Sequence, residues 1–169
     1  MKIQILILTL LLLTSCNYKK SNTCPKIEIN ATLIRSYDSI NSRVKNDSFK
    51  AYDIKLRITN KSEKRISFWI MTCSWEFNFI INNDYIKFNG RGCDKNFLDL
   101  KHLNPNESLV LNGLVRKVEN TFGQDIESTR FGFIYIDSIR CSNTSEYFNI
   151  VNDKSKHGSI IWSNPLSLK

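Results

Sequence analysis

The chain has 169 residues, with 24 Lys and Arg against 16 Asp and Glu, a formal net charge of +8, and 41% hydrophobic residues. That apolar share supports a packed core and excludes a disordered chain, while the scatter of basic residues argues against nucleic-acid binding. With 3 Pro and 6 Gly there is no linker-like stretch, and no internal period recurs, so a single domain is expected.

The first element in chain order is an apolar run. Lys2 precedes Ile3 to Leu13, a series that only Gln4 and Thr9 interrupt. It is about half the ~20 apolar residues a membrane-spanning helix needs, which is the layout of an export signal. The run ends at Leu13-Thr14-Ser15-Cys16, an aliphatic residue, two small ones and a cysteine, which resembles the lipobox of bacterial lipoproteins. The resemblance implies that residues 1–15 are a removable signal and that the Cys16 thiol takes a diacylglyceryl group as a thioether. Cys16 then attaches the protein to the membrane, because two or three acyl chains anchor stably where one does not.

Residues 16–23 form a short polar tether, and residues 24–169 are expected to form the single folded domain. For a lipoprotein, Asn17 in place of Asp implies the outer membrane, and the lack of acids from Asn17 to Asn22 implies a periplasm-facing protein. Lys19 and Lys20 would sit beside anionic head groups.

Once Cys16 is committed to lipid, Cys24, Cys73, Cys93 and Cys141 remain. An even number in an oxidising compartment predicts two disulfides, with three connectivities open. Cys73 with Cys93 is preferred as the shorter loop, leaving Cys24 for Cys141. No CxxC or His-rich spacing accompanies them, so neither a metal nor a cofactor is expected.

Alternation of β-branched and aromatic residues then dominates. Lys26 to Ile34 and Tyr52 to Ile58 read as strands, the second placing Tyr52, Ile54, Leu56 and Ile58 on one face. Asn60 to Lys64 reads as a turn, Ile66 to Ile81 as one bent strand or two, and Asn82 to Asp84 as a hairpin. Leu109 to Leu111, Leu114 to Val115, Arg130 to Asp137, and Ile160 to Leu168 around Pro165 complete seven to nine strands. With no long amphipathic helix evident, the expected fold is an all-β, immunoglobulin-like antiparallel β-sandwich, with a jelly roll or small barrel reading similarly.

Catalytic signals are absent from the pattern. There is no Gly-x-Ser-x-Gly, no His-Glu-x-x-His and no phosphate loop, since Gly90-Arg91-Gly92 lacks the lysine and helix one requires. His102 and His157 read as surface imidazoles, and Asp94 with Asp99, or Asp125 with Glu127, lack the spacing of a calcium loop. Trp69 and Trp75 have two readings. They form an outward platform for a partner or sugar, or one packs in the core against a Cys73 disulfide.

Asp38-Ser39-Ile40 and Asp137-Ser138-Ile139 resemble the O-glycosylation sequon of exported proteins in some Bacteroidota, marking Ser39 and Ser138. The functional expectation is a non-catalytic, lipid-anchored module that binds a protein or envelope component. The alternatives are an inhibitor or immunity lipoprotein against a protease or toxin and, with least support, an envelope hydrolase.

Overall fold

The structure is a computed structural model that describes residues 25–40, 48–90, 93–118 and 128–168. Its elements in chain order are β1 (Ile27–Ile40), β2 (Ser48–Asn60), β3 (Ile66–Met71), β4 (Phe79–Ile81), β5 (Ile86–Phe88), β6 (Leu98–Leu103), β7 (Ser108–Lys117), β8 (Phe131–Ile134), α1 (Thr144–Asn152) and β9 (Ile160–Trp162). Every pairing between these strands is antiparallel. One sheet has the order β1-β2-β7-β5; the other strands pair as β3-β6 and β4-β8-β9.

A bridge from Phe68 to Asp137 and a bond from Trp69 N–H to Ile136 C=O (2.8 Å) join β3 to the chain that continues β8. With β3 and β4 taken as one interrupted strand, the orders match the A-B-E-D and C-F-G sheets of a constant-type immunoglobulin sandwich, with β6 added beside β3. The expected all-β sandwich is therefore the fold.

The main core lies between the sheets. Tyr52, Ile54, Leu56 and Ile58 all face inward and are buried, as their alternation predicts, against Phe68, Ile70, Phe79, Phe131 and Phe133. The Phe68 and Phe133 rings meet edge to face at 5.4 Å. Each such side chain contributes about 1.5–3 kcal/mol on burial, so this interdigitated layer dominates stability.

The alternate residues of β3 and β8 are buried too. Met71, Ile134 and Ile136 pack with Cys141, Tyr147 and Ile150, and Trp69, Ile80 and Phe148 border them. This second core lies beneath α1, so one sheet is covered on both faces.

The helix α1 is short and well capped. Asn143 Oδ1 accepts from Glu146 N–H (3.0 Å), while Glu146 Oε2 accepts from Ser142 N–H (2.7 Å), a reciprocal arrangement of the capping-box kind. The hydrogen bond from Ser142 N–H holds the Glu146 carboxyl below its usual range.

Between β3 and β4 the chain makes one turn of 3-10 helix, Trp75–Asn78, so the expected Ile66 to Ile81 segment is two strands. Buried Asn78 spans the gap, its Nδ2 donating to Trp69 C=O (3.0 Å) and Ile134 C=O (3.2 Å). The turn after β2 forms as expected. Asn60 Nδ2 donates to Lys64 C=O and Leu103 C=O, and Asn60 Oδ1 accepts from Ser62.

Cys73 and Cys93 form a disulfide with Cα atoms 6.0 Å apart. Cys141 is a buried free thiol, and Cys24 lies outside the described residues, as do Cys16, the signal and the tether. Among the described residues no helix is long and apolar enough to cross a membrane.

Candidate functional site

The turn at Trp75–Asn78 exists because the chain leaves β3 beside the disulfide and must re-enter the sheet at Phe79. It carries Trp75 towards the opposite sheet, where the indole packs edge-on against Phe79 and Phe88, each at 5.7 Å. The ring lies so close to Gly113 of β7 that a Cβ there would stand 2.8 Å from Trp75 Cη2. A Cβ at 113 would force the indole to shift, which accounts for a glycine within the strand. At Gly90 an added Cβ would stand 2.9 Å from Glu76 Oε1, a contact that the flexible carboxylate can relieve by swinging away.

These close approaches leave a cleft of about 80 Å³ bordered by Cys73, Trp75, Glu76, Asn89 and Asn112. Small-molecule pockets run to roughly 300–1,000 Å³, so this notch has room for one side chain rather than a whole ligand. Its chemistry is an aromatic edge, a carboxylate and two amides. A larger, shallow hollow of about 530 Å³ lies beside β4 and β5, where Asn83, Asp84 and Lys87 rim the apolar margin of the main core formed by Phe79, Ile81, Ile86 and Phe88.

The two tryptophans separate. Trp69 borders the cluster under α1, with its Nε1 buried and unpaired, whereas Trp75 packs against the main core and lines the cleft beside Cys73. They belong to different clusters on opposite sides of the sheet and share no platform.

The histidines also differ. His102 is exposed, as expected, and its Nδ1 shares a hydrogen bond with Ser67 Oγ (2.7 Å) across the β3-β6 pair. A serine beside an imidazole invites a nucleophile reading, but this pair stands on an exposed strand face, and none of its described contacts supplies an acid to orient the ring. His157 corrects the expectation of a surface imidazole. It is buried, with Nε2 bonded to Val151 C=O (2.9 Å) at the end of α1.

Asp99 pairs with Lys101, Asp94 is exposed, and Asp125 and Glu127 lie outside the described residues. Among the described residues no cluster of three metal-ligating side chains exists. Burial pushes the Cys141 thiol up.

Ser138 is exposed in a turn whose Asp137 Oδ1 accepts from Ile139 N–H and Arg140 N–H, both at 2.9 Å. Ser39 sits within β1, opposite Phe49. Of the two sequon serines, Ser138 is exposed and Ser39 half-buried.

The cleft has no signature in the sequence, because Glu76, Asn89 and the adjacent Asn112 and Gly113 come from three separate parts of the chain and belong to no motif. The signal available was Gly113, a lone glycine inside a strand pattern, which marks a close approach. Comparison with protein-family models, curated proteins and solved structures finds nothing that matches this chain.

Proposed function

We propose that the chain is an exported, lipid-anchored binding module of the cell envelope, tethered through Cys16 to the outer membrane and facing the periplasm. The observation that carries the reading is the Cys73–Cys93 disulfide. A bridge of that kind belongs to an oxidising compartment, where the lipobox-like Leu13-Thr14-Ser15-Cys16 would send the protein. The cleft at Trp75 supports the binding part, since a notch of about 80 Å³ suits one side chain of a protein partner.

Metabolic labelling with palmitate tests the anchor. Label should appear in wild type and vanish in Cys16→Ser, with that variant released from membranes into the soluble fraction. Label retained by Cys16→Ser, or an unlabelled wild type, would overturn it. Density separation of envelopes and protease treatment of intact cells test the membrane and the side, with protection in intact cells expected.

A further inference from the structure

A short tether decides which end of a domain meets the membrane. Lys26 C=O accepts from Lys61 N–H (2.7 Å) and Asn60 C=O from Asn106 N–H (2.8 Å), so the start of β1, the turn 61–65 and the turn 104–107 lie at one end of the sandwich. Pro25 follows Cys16 by nine residues, at most about 30 Å of fully extended chain. β2 alone, with 13 residues, spans about 40 Å. A chain anchored at Cys16 therefore cannot bring its far end to the bilayer, and the end that carries Lys26 is the one held against it.

A third turn stands at the same end. The bridge between Phe68 and Asp137 places the turn 137–140 beside the beginning of β3 at Ile66. Asp137 Oδ1 accepts from Ile139 N–H and Arg140 N–H, and the Arg140 guanidinium donates to Lys156 C=O, so the turn is fastened both within itself and to the segment after α1. Ile139 in this turn is 78% exposed, more than any other large hydrophobic among the described residues. Single exposed aliphatics are ordinary on a surface, but this one is carried by a fastened turn and shares its end with a group of cations.

Lys26, Lys64, Arg65, Arg140 and Lys154 are all exposed, and among the described residues no carboxylate stands within ion-pair distance of any of them. The carboxylates of this end are engaged elsewhere. Glu28 pairs with Lys61 (3.3 Å) and Asp153 with Lys156 (3.0 Å), while Asp137 and Glu107 accept backbone N–H groups; Glu63 is the exception. Unpaired cations around a projecting aliphatic match an anionic lipid surface, where phosphates meet the charges and the aliphatic enters the head-group layer.

We propose that this end of the sandwich, with Ile139 projecting and Lys26, Lys64, Arg65, Arg140 and Lys154 about it, docks on the anionic phospholipid surface that holds the chain's own anchor. The proposal rests on the lipid anchor and goes beyond it, since the anchor holds the chain near the bilayer whereas docking fixes which face of the domain meets the lipid.

The test places the acylated full chain in vesicles of phosphatidylcholine with or without phosphatidylglycerol and reads amine acetylation of each lysine by mass spectrometry. Lys26, Lys64 and Lys154 should react several-fold more slowly when phosphatidylglycerol is present. Lys87, beside the last residues of β7, and Lys95, beside the end of β3, lie at the other end and should not change. Ile139→Asp should restore labelling at all three protected lysines and Ile139→Leu should not, and a side chain so exposed accepts either change without loss of the fold. Lys64→Gln should reduce the protection of Lys26 and Lys154 about fivefold.

Equal labelling in the two kinds of vesicle, protection at Lys87 or Lys95 instead, or protection that Ile139→Asp leaves intact would each overturn the proposal. Lysines protected in native envelopes but not in vesicles would assign this end to a protein partner and overturn it too. Flotation separates the two readings: a chain that floats with vesicles yet shows no protection is anchored without docking, whereas one that carries no acyl group and does not float overturns both.

Discussion

Tyr147 donates its phenolic hydrogen to Asn78 Oδ1 at 2.6 Å, and both residues are completely buried. The same Asn78 donates to two strand carbonyls, so one side chain bridges the break between β3 and β4 and also receives the helix that covers it. Tyr147→Phe leaves Asn78 Oδ1 unsatisfied and should cost about 1–3 kcal/mol by denaturant unfolding. Asn78→Ala should cost more, since it strands two carbonyls and a hydroxyl. A double-mutant cycle should show coupling on the order of 1 kcal/mol, and simple additivity would refute the shared network.

The same hydroxyl makes stability pH-dependent on the alkaline side. Burial raises the Tyr147 phenol above its ordinary value of 10.0, and burial also raises Tyr52. Unfolded chains give up these protons near pH 10 while the native protein keeps them, so stability should fall as pH rises beyond that point. Urea midpoints from pH 9 upwards should fall less steeply in Tyr147→Phe than in wild type.

Much of this architecture is legible in the chain. Tyr52, Ile54, Leu56 and Ile58 alternate because one face of β2 is wet, and Asn60 to Lys64 announces its turn. Three elements are hidden for physical reasons. β5 is only three residues long, and β6, Leu-Asp-Leu-Lys-His-Leu, contains none of the β-branched or aromatic residues that mark the other strands. The helix α1 is nine residues and too short for a clear period, although Asn143-Thr144-Ser145-Glu146 carries a capping signal that marks its start. Trp69 and Trp75 look equivalent in sequence, and only the intervening turn sends them to opposite sides.

The Cys73–Cys93 bridge closes a loop with a sequence separation of 20. Loop-closure entropy gives it about 3 kcal/mol. Replacing both cysteines by alanine should lower the melting temperature by roughly 6–12 °C, and reductant should reproduce the drop in wild type. An unchanged melting point in both experiments would remove the bridge from any account of stability.

Among the described residues, Gly132 in β8 is the tightest glycine. An added Cβ would stand 2.6 Å from Ile160 and 3.0 Å from both Ile80 and Trp162. Gly132→Ala should therefore cost about 1–3 kcal/mol through overpacking. Thermal unfolding monitored by Trp fluorescence checks this, and a neutral result would mean that β9 shifts freely.

Asp153 caps the short turn that follows α1. Hydrogen bonds from Ser155, then from Lys156, lower its carboxyl to about 2. Its stabilising effect is present above the unfolded value of 3.8 and disappears as pH falls towards 2. Carboxyl-carbon NMR should find Asp153 still charged at pH 3, and Asp153→Asn should flatten the acid side of the stability profile. Titration at an ordinary aspartate value would count against the cap.

The double covering of β3 and β8 governs how the protein can drift under selection. Phe131 and Phe133 answer to one core, Ile134 and Ile136 to the other, and Gly132 to the space between its neighbours. Saturation mutagenesis should show an unbroken intolerant block there, against an every-other-residue rhythm along β2, where Lys55 and Arg57 face water. Substitutions accumulating in the lineage would gather on the outer face of the β1-β2-β7-β5 sheet, so divergent relatives would be recognisable by the covered sheet long after the wet one had lost resemblance.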